Sequence, residues 1–475
     1  MRVPCFARVF RLSLALLVAA STLLPIAARR TRAATPAAAA KPVARKAASA
    51  ADSLHLDPAV RSGVLPNGLR YFIRANHRPV ARASLRVAVN AGSNLEQDDQ
   101  QGLAHLDEHM NFNGSAHFKP DELVAYLQSI GLRFGADANA YTSFDETVYM
   151  LTVPTDRDTL LDRGLTALSD FAGRALLSQT EIDKERGVVL EEWRIGRGAQ
   201  DRILRKQLPV LLHGSRYAER LPIGKPEIIE HAPAARLRDY YRTWYTPDRM
   251  AVVAVGDFDP ARMDSLIHVH FGDLPKAAAP RRTPRYEVPP HRETLIAIAP
   301  DKEATASVVT IAHKRMRHVE ATVKDFRRGL LESLISGMLN ARLDEIRHRK
   351  DTPFLWAQSY ASDWVRTLEA YSLIAGVKDG SIDKGFAALL SEIARVRQHG
   401  FLASELARAK QDLAAENERA YAERDKSESS GFAGRLVSHF LTGDAAPGIE
   451  DTYRMTRALL PGVTLSDVSA RIPRL

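Results

Sequence analysis

The sequence predicts an α+β fold made of two copies of one unit, each a sheet with helices packed on one face. Three observations lead there. Stretches in which apolar and polar residues alternate are interspersed with stretches in which apolar residues recur every three to four positions, so strands and helices are mixed along the chain. Their order repeats once, at roughly 200 residues per unit, as expected of an internal duplication. A Pro- and Arg-rich segment, residues 276–292 (KAAAPRRTPRYEVPPHR), separates the two runs. The length of 475 residues also exceeds what one core accommodates.

In the first run, Asn67-Gly68 between Val64-Leu65-Pro66 and Leu69-Arg70-Tyr71-Phe72-Ile73 reads as a hairpin turn. Residues 83–90 alternate like a half-buried strand. Residues 102–111 and 120–130 read as helices, the second with Pro120 in its first turn. A strand over 147–153, helices over 159–177, 180–195 and 226–245, and a strand over 250–255 complete the unit. After the linker come strands at 294–299 and 307–312, a long helix over 322–347, strands near 354–360 and 370–377, and helices from about Ile382 and Ala403. The expected division is an export signal over 1–28, a tether over 29–53, one unit over 54–275, the linker, and a second unit over 293–475.

The N-terminus has a basic start (Arg2, Arg8, Arg11), an apolar run from Leu12 to Ala28 and small residues after it, which is the pattern of an export signal. Cleavage after Ala28 or Ala33 fits equally. Pro25 and the scattered Ser and Thr argue against a stable membrane span once the signal is removed. Residues 1–50 hold nine Lys or Arg and no acidic residue, which equals the whole formal charge of +9. The rest of the chain is formally neutral, so the charge gives no ground for nucleic-acid binding. Cys5, the only cysteine, lies inside the signal, as suits a protein bound for an oxidising compartment, periplasmic or secreted.

His105-Leu106-Asp107-Glu108-His109 is an H-x-x-E-H pattern on an expected helix. Histidines four apart project from one helix face and can reach a single ion at about 2.0–2.1 Å. Glu108, three residues after His105, points to the same side, where it can take a proton from water acidified by the ion. The pattern belongs to the zinc-peptidase motifs, inverse to H-E-x-x-H. Such a site needs a third protein ligand and one open position. Glu185 and Glu192, seven apart on a later expected helix, share a face and offer carboxylates, although a solvated amphipathic helix would show the same spacing.

With these residues in view, the runs from Gly102 to Ser115 (GLAHLDEHMNFNGS) and from Glu185 to Glu192 (ERGVVLEE) resemble the insulinase or pitrilysin family, closest to its bacterial periplasmic zinc protease branch. Residues 139–147 (NAYTSFDET) and 216–224 (RYAERLPIG) extend the resemblance, which spans about 60 to 470. It implies one Zn2+ per chain held by His105, His109 and Glu192, with Glu108 as general base and Glu185 orienting a histidine. It also implies that Asn139 and Ala140 lie on an edge strand where substrate is added as a further strand. Two features depart from the family pattern. The gap between His109 and Glu192 holds 82 residues, longer than in the best-known members, and Asp107 stands where many relatives are apolar.

Complete members of the family close two halves, each of two such units, into a chamber. This chain corresponds to one half of that clamshell, and its second unit, with His313, His318 and His348 but no H-x-x-E-H, resembles the non-catalytic copy. The expectation is a zinc metalloendopeptidase acting on peptides, joined to a second half as a homodimer or hetero-dimer. The alternatives are a binding or scaffold subunit of a two-part peptidase, and a metal-buffering protein in which Glu108 would have no task.

Overall fold

A computed structural model describes residues 53–277 and 282–472. The expected signal and all but the last residue of the tether fall outside the described residues. In the first unit, β1 (Val60–Val64) and β2 (Arg70–Ala75) pair antiparallel around the Asn67-Gly68 turn. Gly68 turns at φ +99°, a region that favours glycine, and Asn67 fixes the turn by donating to the carbonyls of Phe271 and Leu274. There follow β3 (Arg82–Val89), α1 (Leu103–Met110), α2 (Glu122–Ser129), β4 (Ala138–Thr142), β5 (Thr147–Pro154), α3 (Asp158–Gly173), α4 (Gln179–Gly196), α5 (Ala199–Leu211), α6 (Pro226–His231), α7 (Ala234–Trp244), β6 (Met250–Gly256) and α8 (Pro260–Phe271). The strands form one sheet in the order β1-β2-β6-β3-β5-β4.

The second unit holds β7 (Ser307–Met316), α9 (Val323–Arg347), β8 (Trp356–Val365), β9 (Leu368–Val377), α10 (Ile382–His399), α11 (Ala403–Ala422), α12 (Ser429–Thr442), α13 (Ile449–Leu459) and α14 (Leu465–Arg471). Its sheet has the order β7-β9-β8. That order reproduces β3-β5-β4, and the helices after β9 follow the same sequence as those after β5, so the duplication read from the sequence is present in three dimensions.

Burial explains the sequence patterns. All seven residues of β6 are buried, because helices of its own unit cover one face and α12 covers the other. A strand buried on both faces reads as an unbroken apolar run, MAVVAVG, each valine contributing about 1.5–3 kcal/mol relative to exposure. The helix α12 comes from the second unit. Its Phe432, Ala433, Leu436 and Val437 close over Phe72, Ala88, Val148, Ala251, Val253 and Val255, joining the two units through one apolar layer.

Several elements differ from expectation. The helix expected over 226–245 is two helices, because Pro233 has no N–H to continue the first and precedes α7 at its N-cap. Helices α5, α8, α12, α13 and α14 were not expected. The strand expected at 294–299 forms no ladder and makes no backbone hydrogen bond to another described residue.

Candidate metal centre

All eight residues of α1 are buried. The helix starts at Gly102, whose φ of +105° and close approach to Gly224 and Ile229 leave no room for a Cβ. Its orphan N-terminal amides are met by Glu96, which accepts from the backbone N–H of Gly102 at 3.0 Å and of Ala104 at 2.8 Å. Burial pushes that carboxyl up to about 8, against the pull of those amides and of Arg220 and Arg216. Leu103, Leu106 and Met110 enter the core of the first unit, and that anchoring turns His105, Glu108 and His109 to the opposite side.

There α4 meets them. Nε2 of His109 lies 3.4 Å and Nε2 of His105 3.7 Å from Oε2 of Glu192. One ligand atom from each of the three residues falls within 4.8 Å of the others. Bonds of about 2.1 Å in tetrahedral geometry separate neighbouring ligand atoms by about 3.4 Å, so this donor set fits a zinc ion. Two imidazoles and a carboxylate are also the ligand types that zinc takes in catalytic sites. Glu191, the neighbouring acid, turns outward to an ion pair with Arg194.

Around this triad is a supporting shell. Nδ1 of His109 lies 2.8 Å from Oε1 of Glu185, whose other oxygen accepts from Asn113 at 2.6 Å. A carboxylate only accepts, so Nδ1 carries a proton, which leaves Nε2, on the side of Glu192, as the nitrogen that would bind an ion once its own proton is displaced. Burial works to lower His109, but hydrogen bonds to Glu185 and Glu192 outweigh it and raise the group to about 10. His105, with burial dominant, drops to about 4. Burial also opposes ionisation of Glu192, yet His105 and His109 hold it below the usual carboxylate range.

Glu108 stands beside the triad, and burial pushes it up to about 7, where a carboxylate serves well as an acid–base group. Its Oε2 accepts from the hydroxyl of Thr142 at 2.6 Å. Thr142 ends β4, the free edge of the first sheet. Asn139 and Ala140 lie on that same strand, with Ala140 N–H donating to the Asn139 side chain at 2.9 Å. The three residue steps from Asn139 to Thr142 span about 10 Å of strand.

The sequence-predicted residues thus fall into one triad, one adjacent carboxylate (Glu108), one carboxylate hydrogen-bonded to His109 (Glu185) and one neighbouring edge strand. Glu96, Asn113 and Thr142 were missed. Asn113 stands in the 102–115 run that carries the family resemblance and Thr142 in the 139–147 run that extends it, whereas Glu96 has no local signal, its role depending on a turn that brings it back to the start of α1.

Comparisons with known proteins point to one family. The insulinase (peptidase family M16) model matches residues 71–213, and the peptidase M16 inactive-domain model matches residues 232–413. A zinc protease PQQL-like protein of Arabidopsis thaliana is 38% identical over 86% of this chain and 40% of its own length. A probable zinc protease PqqL of Haemophilus influenzae is 29% identical over 88% of this chain and 45% of its own length. The chain therefore spans less than half the length of these relatives. The crystal structure of the first half of the periplasmic protease PqqL from Escherichia coli matches with a TM-score of 0.81 at 27% identity, covering 89% of this chain and 90% of that one. On the matching family models, the relatives and the shared architecture, the chain belongs to the insulinase family, peptidase family M16.

Proposed function

We propose that this chain is the metal-bearing half of a zinc-dependent endopeptidase that hydrolyses peptides or unfolded polypeptide segments. The carrying observation is the convergence of His105, His109 and Glu192 at ligand spacing, with Glu108 beside them. In this reading residues 54–275 form the catalytic unit and 293–475 its non-catalytic copy. One zinc per chain is expected, with Glu185 holding His109 in its ligating tautomer. The names of the relatives and the N-terminal pattern support export to the periplasm. No helix among the described residues is long and apolar enough to cross a membrane.

What zinc supplies when bound is a water acidified toward a pKa of about 7 and a polarised scissile carbonyl. Glu108 takes the proton of the attacking water and returns it to the departing amine. Thr142 holds one Glu108 oxygen and so aims the other at the water. The substrate backbone pairs with the free edge of β4 as an added strand. For that, the Asn139 side chain must release the Ala140 N–H, which it accepts from in this structure.

The test is Glu108→Gln, assayed for zinc and for peptide turnover. Zinc content should stay near one per chain while kcat falls by about 10²–10⁴-fold. Near-wild-type turnover would remove Glu108 as the base. A wild-type chain that binds zinc yet cleaves nothing, alone or with a second half, would support the scaffold reading instead.

A further inference from the structure

The candidate ligands and Glu108 all lie in the first unit, yet the segment that holds Glu108 is itself held by the second. Thr142 ends β4 and Thr147 begins β5, with a four-residue turn between them. Thr142 donates to Glu108 at 2.6 Å, and its hydroxyl lies 3.3 Å from that of Thr147, which donates to Ala91 O at 3.0 Å. The turn is closed by the Ser143 N–H donating to Glu146 O at 2.7 Å, so a displacement of Glu146 passes to Ser143 and its neighbour Thr142.

On one side the turn is fastened to the segment after β3. Ser93 and Asn94 donate their backbone N–H groups to Ser143 O at 3.1 Å and Phe144 O at 2.8 Å. The Asp145 carboxylate accepts from the Asn94 side chain at 3.1 Å and from the Tyr217 hydroxyl at 2.9 Å. Gly92 lies so close beneath that a Cβ there would strike Ser143 O and Glu146 N.

The other side is met by the tip of the β8–β9 hairpin, where Val365 pairs with Leu368 around Arg366 and Thr367. Val365 and Leu368 share one apolar cluster with Phe144. Nη2 of Arg366 donates to Oε2 of Glu146 at 2.8 Å, and Nη1 donates to the side-chain oxygen of Asn90. Asn90 directly follows β3, so one guanidinium bridges the strand end that leads toward α1 and the turn that carries Thr142. Burial raises the Glu146 carboxyl against the pull of Arg366. The tip is fixed from behind, with Thr367 donating its hydroxyl to Tyr286 O at 2.9 Å and accepting the Arg317 N–H at 3.0 Å.

We infer that Arg366 is a positioning residue for hydrolysis: through Glu146 and the 142–147 turn it sets the place of Thr142 and so the aim of Glu108. The second unit then contributes to the reaction without touching substrate or metal. A guanidinium fork fixes direction as well as distance, and a base displaced by about 1 Å loses on the order of 10²-fold in rate. The inference rests on the reading of Glu108 as the base.

The test compares the zinc-loaded full chain with its variants for zinc content, kcat, KM and amide exchange. Arg366→Met should lower kcat by about 10–100-fold with KM and zinc content little changed. Arg366→Lys, which keeps a cation beside Glu146, should recover part of that loss. Thr142→Val removes the hydroxyl that holds Glu108 and should lower kcat to a similar extent. Adding Arg366→Met to it should lower kcat no further, because both act on one carboxylate oxygen. Asn76→Ala cuts another contact between the units, the bonds to Ser427 O at 3.1 Å and the Ser429 hydroxyl at 3.0 Å, and should leave kcat unchanged. An unchanged kcat in Arg366→Met, additive losses in the double variant, or an equal loss from Asn76→Ala would overturn the inference and leave Arg366 as a joint between units. Amide exchange over 142–147 should quicken in Arg366→Met while α9 keeps its protection. A wild-type chain that cleaves no peptide would sink the peptidase reading by itself. Exchange would then decide alone: unaltered protection over 142–147 would overturn the inference, and faster exchange confined there would sustain Arg366 as the residue that places Thr142.

Discussion

The helix after the first long strand differs between the two units. In the first unit it is broken into α1 and α2, and α1 turns His105, Glu108 and His109 toward Glu192. In the second it is the continuous α9, begun by a capping box between Thr322 and Asp325. Buried polar residues occur on both. On α9, Arg342 meets Glu392 at 3.1 Å and Glu405 at 2.6 Å, so two carboxylates are balanced by a cation built into the chain. In the first unit, apart from burial, the main influences on Glu108 are His109, the Thr142 hydroxyl and Glu192, and those on Glu192 are His105 and His109. One topology therefore supports a closed ion-pair network in one copy and a donor set suited to an added cation in the other.

The sharpest way to break this comparison is to exchange histidines. His105→Ala with His109→Ala should take zinc from about one per chain to none and turnover to background. His313→Ala, His318→Ala and His348→Ala together should change neither, as metal analysis beside a peptide assay will show. Zinc retained by the double variant would erase the distinction between the units.

Arg342→Met tests the other side. It strands Glu392 in the interior, so denaturant unfolding should show a loss of about 3–5 kcal/mol while zinc content holds. Adding Glu392→Met and Glu405→Met should recover most of that loss. A smaller effect is expected from Glu185→Gln, which leaves the three ligands in place but loosens the tautomer of His109. Competition with a chelator should report zinc bound about 10–100-fold more weakly. The smallest effect belongs to Glu96→Ala. Losing the acceptor for the α1 amides should cost about 1–2 kcal/mol in stability, with zinc still bound.

Legibility in the sequence followed the range of the contacts involved. His105, Glu108 and His109 were readable because a four-residue step on a helix fixes a face, and the seven-residue step placed Glu185 and Glu192 on one face. Choosing Glu192 as the ligand took the family resemblance, since the spacing alone does not separate the two acids. Glu96 and Thr142 were not readable in their roles, because each acts on a residue brought near by the tertiary fold. Residues 294–299 illustrate the converse. Leu295, Ile296, Ala297 and Ile298 have strand composition, but a strand exists only when a neighbour pairs with it, and among the described residues none does. The late helix α12 carried its signal in Phe432, Ala433, Leu436 and Val437, spaced as one helical face, and that pattern went unread.

The central claim is the position of one metal ion, and anomalous diffraction at the zinc edge from crystals of the zinc-loaded chain tests it most directly. The expected result is a single peak about 2.1 Å from Nε2 of His105, Nε2 of His109 and a carboxylate oxygen of Glu192, with Glu185 on Nδ1 of His109. A peak elsewhere, or none in protein shown to carry stoichiometric zinc, would contradict it.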